Sequence, residues 1–221
     1  MISGLCTWLV NQSRLASHPI RGKQVEKREE PPHRIPELSP AEYQGYTTAY
    51  REQRPDLLVL ALLLVHTAAD VGEVFGLMVR DFDLEAKRVR LQRTKTRRHK
   101  TANKPRLVPL PSVLVAEIRS HIAEHGVEGS DQLFQMVPRR ELENMHQRAA
   151  NAISRPELTL KDLRHIAAIS WVKAGVHIRT VSRYMGHASI QMTMRYTEFE
   201  PDEGAATEQA ERALETLNKT A

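Results

Sequence analysis

The stretch LLVLALLLV, residues 57 to 65, has no polar face. A helix that is apolar all round must be covered on every side, so this segment requires a fold in which other elements surround it. It runs for nine residues between Asp56 and His66. About 20 apolar residues are needed to cross a bilayer, so the run predicts a buried core helix and no membrane partner.

The rest of the chain supplies the cover. Ser39-Pro40-Ala41-Glu42 is a helix start, with serine as N-cap, proline in the first turn and glutamate at the capping-box position. The helix carrying the leucines is expected to follow Pro55 and run to about Ala69. Further helices are predicted from Pro111 to His125 ending at Gly126, Arg139 to Ala152, Leu160 to Lys173 ending at Gly175, and Ile178 to Met185 ending at Gly186. Between them, RDFDLEAKRVRLQRTK and KPRLVPLP alternate apolar and polar residues, the pattern of short antiparallel strands. The predicted class is α+β, mostly helical with one small antiparallel sheet.

At 221 residues, 41% hydrophobic and 27% charged, the chain has the balance of a soluble globular protein with one principal domain. We divide it into a terminal helix within residues 1–18, a polar and proline-rich linker at 19–37, a main domain at 38–202 and a helical tail at 203–221. Residues 2 to 15 are expected to be one amphipathic helix. A single cysteine, Cys6, forms no internal disulfide, and Met1 is followed by ISGLCTWLV without a basic leader. Both features predict a cytoplasmic protein.

Lysine and arginine outnumber the acids 32 to 27, and the excess is uneven. RTKTRRHKTANKPR, residues 93 to 106, holds Arg93, Lys95, Arg97, Arg98, Lys100, Lys104 and Arg106 without one acid. Such a field favours a polyanion, most simply a nucleic-acid backbone. A second basic cluster, LTLKDLRH, puts Lys161, Arg164 and His165 at a helix start, with Lys161 and Arg164 on one face at i, i+3. Cations there oppose the macrodipole, which points to an anion as their target. In RYMGHASIQMTMRYTEFE, His187 follows a glycine before an expected helix, and Tyr196 stands nine positions on. Taken alone, Tyr196 has a plainer reading, an aromatic partly buried beside Met185 and Met192 with its hydroxyl at the surface. HIAEH, residues 121 to 125, matches the H-x-x-E-H spacing of inverted zinc peptidases, but it falls in the last turn of a helix, where histidines suit the dipole.

Lys95, Lys161, Arg164, His187 and Tyr196, in this order and within LTLKDLRH and YMGHASIQMTMRYT, resemble the tyrosine recombinase or phage integrase family over about residues 38 to 200. The resemblance implies that Tyr196 attacks a DNA phosphodiester to give a 3'-phosphotyrosyl intermediate. It implies that Arg164, Lys161 and His187 hold the phosphate, and that Lys95 protonates the leaving 5'-oxygen. Double-stranded DNA is the implied partner, with assembly as a tetramer on it in the nucleoid. Because the covalent bond conserves the phosphodiester's energy, no cofactor and no metal are implied. The family's N-terminal core-binding domain, which completes a clamp on DNA, has only residues 2 to 15 to represent it.

One position departs from the pattern. The family carries its first catalytic arginine in a segment of the type T-G-x-R-x-x-E, and the aligned stretch here is TAADVGEVFGL. Thr67 and Glu73 match, while Asp70 stands in place of the arginine. A carboxylate about 5 Å from a phosphate oxygen repels it by about 3 kcal/mol at an effective dielectric near 20. A cation drawn to Asp70, Arg164 being the candidate, is withdrawn from the phosphate. The same basic surfaces also suit a recombinase-derived protein that binds DNA without cutting it.

Overall fold

The computed structural model of the chain describes residues 2–16, 36–92, 105–134 and 137–201. Two compact units emerge, Met1–Arg34 and Ile35–Ala221. The first holds α1 (Ile2–Asn11), shorter than the expected 2–15 helix because the chain turns after Asn11, with Ser13 at φ 54°.

In the second unit α2 (Pro40–Gln53) begins as its sequence predicts. The Ser39 hydroxyl accepts the Glu42 N–H at 3.2 Å, and the Ser39 N–H donates to the Glu42 carboxylate at 2.7 Å. The leucine run forms α3 (Leu58–Thr67), preceded by a 3-10 turn at Pro55–Leu57. Every side chain from Leu57 to Val65 is buried, and α3 packs against α2, α5 (Ser112–His125) and α7 (Leu160–Lys173). It stops two residues earlier than expected because Ala68 takes the left-handed conformation, φ 51° and ψ 27°. A five-residue helix, α4 (Val71–Phe75), follows. It is too short to leave an apolar period in the sequence.

Strands β1 (Phe82–Asp83), β2 (Arg88–Leu91) and β3 (Arg106–Pro109) form an antiparallel sheet in that order. Val89 opposes Val108 and Leu91 opposes Arg106. Val89, Leu91, Val108 and Arg106 are all buried, so a guanidinium occupies a position where alternation along β3 calls for an apolar side chain. The remaining helices are α6 (Arg139–Ala152) and α8 (Ile178–Met185). The chain was expected to re-enter a helix before Tyr196. It instead makes 3-10 turns at Ile190–Met192 and Met194–Phe199, closed by Thr193 N–H to Ile190 carbonyl and Tyr196 N–H to Thr193 carbonyl bonds. Among the described residues no helix is long and apolar enough to cross a membrane.

Burial disfavours the charged form of three imidazoles in this core. The Leu158 carbonyl can only accept, so His146 carries its proton on Nε2, 2.8 Å away, and Nδ1 accepts the Tyr46 hydroxyl at 2.8 Å. Tyr46 in turn lies 3.3 Å from the Tyr50 hydroxyl. Burial lowers the pKa of His66, His121 and His146 below the ordinary 6.5. The unfolded chain therefore binds more protons than the folded one as pH drops past that value. The stability these groups contribute is complete above about pH 6.5 and is lost as pH falls through the lowered folded values. Thermal melts are expected to give a flat Tm from pH 8 to 7 and a declining one from pH 6.5 to 5; a Tm constant across the whole range would contradict the assignment.

Candidate active site

The buried Arg106 sets the frame. Its Nη1 and Nη2 donate to the two Glu73 carboxylate oxygens at 2.7 and 2.8 Å, and its Nε donates to the Tyr184 carbonyl at 2.5 Å. The fork of a guanidinium matches a carboxylate in this two-point way. Burial alone would push the Glu73 carboxyl up, but the Arg106 pair, the Asp70 N–H at 2.8 Å and the Arg164 charge bring it below the usual range. Arg106 was expected to belong to the solvated basic field of residues 93 to 106. It is an internal strut that ties β3 to the start of α4 and to the end of α8. At that end Gly186 (φ 66°) admits the strut, since a Cβ there would stand 3.3 Å from the Arg106 Cδ and Nη1.

Arg164 occupies the next layer. Thr159 caps α7, with its side chain taking the Asp162 N–H and Asp162 answering at the Thr159 N–H. This leaves Arg164 in the second turn, 8% exposed. Its Nη1 donates to the Ala68 carbonyl at 2.5 Å and its Nη2 to the Met185 carbonyl. The same Nη1 lies 3.7 Å from Asp70 Oδ1 and 3.9 Å from Glu73 Oε2. The pairing of Arg164 with Asp70 expected from the sequence is thus present as a loose contact, with the Asp70 side chain 53% exposed. Lys161 is exposed while Arg164 is buried, so the shared face read from their spacing splits between solvent and interior.

From Met185 the chain passes through Gly186 to His187, whose Nδ1 lies 2.7 Å from the Thr193 hydroxyl. His187 was expected near a helix N-terminus. It sits at the C-terminal cap of α8 instead, held by the buried Thr193. Thr193 also receives the Tyr196 N–H, and the Tyr196 hydroxyl reaches His165 Nδ1 at 2.6 Å. Arg164 thus reaches Met185, two residues before His187, and contacts run on from His187 through Thr193 and Tyr196 to His165, the residue next to Arg164. The expectation of a tyrosine with its hydroxyl at the surface is corrected, since Tyr196 is 1% exposed and packs with Ala68, Ala168, Val181 and Met185. Burial pushes its pKa up, against the opposing charges of Arg195 and Arg164.

The roles of Arg106, Thr193 and His165 were not read from the sequence. The first lay inside a charge run, and the second carried no signal of its own. The third had one, its place beside Arg164 in LTLKDLRH. Lys95, with Arg93, Arg97, Arg98, Lys100 and Lys104, lies outside the described residues, as does the 203–221 tail. In HIAEH, His121 Nε2 is 3.2 Å from the Leu133 carbonyl and its ring stacks on His125 at 4.1 Å. Among the described residues no cluster of three or more histidine, cysteine or acidic side chains could hold a metal.

A mostly helical domain with one small antiparallel three-stranded sheet is the architecture of a tyrosine recombinase catalytic domain. The chain belongs to the phage integrase family, whose pattern matches residues 39–203. It is 26% identical to the tyrosine recombinase XerC-like protein of Caldanaerobacter subterraneus subsp. tengcongensis, across 96% of this chain and 62% of that protein. It is 29% identical to tyrosine recombinase XerC of Corynebacterium glutamicum, across 61% of this chain and 44% of that protein. Among solved structures, XerA recombinase superposes with a TM-score of 0.62 at 23% identity, over 82% of this chain and 66% of that one. The Tn1549 transposon integrase in complex with a circular intermediate DNA superposes with a TM-score of 0.68 at 15% identity, over 95% of this chain and 76% of that one. The chain spans less than two thirds of the length of these sequence relatives.

Proposed function

We propose that this chain carries the catalytic domain of a site-specific DNA recombinase that cuts and rejoins strands through a 3'-phosphotyrosyl intermediate, and that Asp70 holds its rate far below that of a site with a guanidinium there. The observation behind this reading is the series of contacts and adjoining residues that links Arg164, His187 and Tyr196 from separate segments. In the proposed reaction Tyr196 Oη attacks the phosphorus. Arg164, His187 and Lys161 donate to the nonbridging oxygens, and Lys95 protonates the leaving 5'-oxygen. No nucleotide is consumed, because the phosphotyrosyl ester stores the bond that rejoining uses. Tyr196→Phe removes the attacking oxygen and is expected to abolish any covalent protein-DNA product.

In this reading residues 38–202 form the catalytic domain, residues 1–18 belong to the core-binding side of the clamp, and the tail at 203–221 docks on a neighbouring protomer in a tetramer on nucleoid DNA. Arg93, Arg97, Arg98, Lys100 and Lys104 track the backbone of the duplex. Replacing Arg97, Arg98 and Lys100 with alanine is expected to weaken binding to all duplexes alike. The slope of log affinity against log salt should flatten by about one unit per lost contact. Unchanged affinity and slope in a titration series would refute a phosphate role for this segment. A second reading, a DNA-binding protein that no longer cuts, is favoured by the contact of Asp70 with Arg164. The two readings part on whether a covalent adduct forms once Asp70 is replaced.

A further inference from the structure

A phenol is a poor nucleophile until its proton has somewhere to go. Tyr196 is closed off from bulk water at 1% exposure, so the proton leaves through the protein. The ammonium of Lys161 and the guanidiniums of Arg164 and Arg195 are donors without acceptor capacity. His187 Nδ1 is turned to the Thr193 hydroxyl at 2.7 Å. His165 Nδ1 stands 2.6 Å from Tyr196 Oη, with the ring centroids 5.9 Å apart at 47°. An imidazole nitrogen is a stronger acceptor than a phenol oxygen, and in the tautomer with its proton on Nε2 His165 accepts the Tyr196 O–H at Nδ1.

We propose that His165 is the base that accepts the Tyr196 proton. The inference rests on the strand-transfer reading and adds a residue to it. As the Oη–P bond forms, the phenolic proton passes to His165 Nδ1. The P–O5' bond breaks with its electron pair on O5', which takes a proton from Lys95. In rejoining, the 5'-hydroxyl attacks the phosphotyrosyl phosphorus, Lys95 recovers a proton and Nδ1 returns its proton to Oη. The neighbouring guanidiniums of Arg164 and Arg195 favour the developing phenolate. His165 thus supplies an acceptor that the exposed Lys161 cannot.

The hydrogen bond is tested without any turnover, by NMR of the whole chain with 15N-labelled histidine and His165 assigned by its loss in His165→Gln. An unprotonated Nδ1 whose resonance moves on Tyr196→Phe is expected; a proton resident on Nδ1 would overturn the proposal. The base role is tested in the DNA-bound Asp70→Arg protein on a nicked duplex carrying the recognition site, with any core-binding domain supplied. His165→Gln should slow adduct formation by about a hundredfold or more, the range of a lost general base, while duplex affinity stays within about threefold. Sulfur in place of the bridging 5'-oxygen needs no protonation to leave, so it should rescue Lys95→Ala and not His165→Gln. A rate within about threefold of the parent, or rescue of His165→Gln by sulfur, would also overturn it. If the Asp70→Arg parent forms no adduct at all, the strand-transfer reading falls, and the base role, which rests on it, falls with it. The NMR result then bears on the hydrogen bond alone, which separates the two failures.

Discussion

Arg106→Ala is expected to destabilise the domain by about 3–5 kcal/mol, the cost of leaving one partner of a buried ion pair uncompensated. Both side chains are nearly closed to solvent, at 5% for Arg106 and 2% for Glu73, so screening does little to soften the loss. The change also removes the donor to the Tyr184 carbonyl and empties the space under Gly186. For a chain of this size the shift corresponds to a Tm lower by about 10 °C. Glu73→Leu combined with Arg106→Met should recover most of the stability, because an apolar pair of similar volume avoids the desolvation that the ion pair must offset. The double variant should not recover a working site, since Asp70 N–H loses its acceptor and the His187 turn loses its strut. Denaturant unfolding of both single variants and the double separates the terms. Single variants within about 1 kcal/mol of the parent would mean that the pair is dispensable.

The elements were largely legible because their signals are local. The Ser39 capping box and the left-handed glycines after α5 and α8 place helix ends by short-range geometry, and the leucine run of α3 announces its own burial. What escaped was decided by tertiary contacts. Ala68 ends α3 with a backbone conformation that its type does not advertise, and its carbonyl is then spent on Arg164. The segment before Tyr196 has helical spacing, yet Thr193 turns its hydroxyl to His187 and the chain closes in i+3 bonds.

The site divides along the same line. The candidates Arg164, His187 and Tyr196 were visible as residue types at a spacing, and the fold brings them together. Their burial was not visible, since a tyrosine named as a nucleophile is expected to face its target and this one faces His165. Arg106 was misplaced because a charge run in sequence carries no information about which member turns inward. Only the pairing of β3 with β2, and Glu73 beneath it, shows that.

Asp70→Arg is the substitution expected to change the chemistry most. The native carboxylate is half exposed at the N-cap of α4 and stands 3.7 Å from Arg164, so a longer side chain has room to project without entering the core. The substitution removes a repulsion of about 3 kcal/mol toward a phosphate oxygen and adds a second guanidinium to grip it. Together these effects exceed about 5 kcal/mol, or more than a thousandfold in rate. Without DNA the two guanidiniums repel each other, so the free protein should be slightly less stable and should regain that stability on binding a phosphate.

The most direct measurement is the formation of a denaturation-resistant protein-DNA complex on a nicked duplex carrying the recognition site, with any core-binding domain supplied. Little adduct is expected with Asp70 in place, a rise of more than about a thousandfold in its rate with Asp70→Arg, and none when Tyr196→Phe is added. Rapid adduct formation by the native sequence, or a DNA-bound Asp70→Arg protein that forms none, would contradict the roles given to Asp70 and Tyr196.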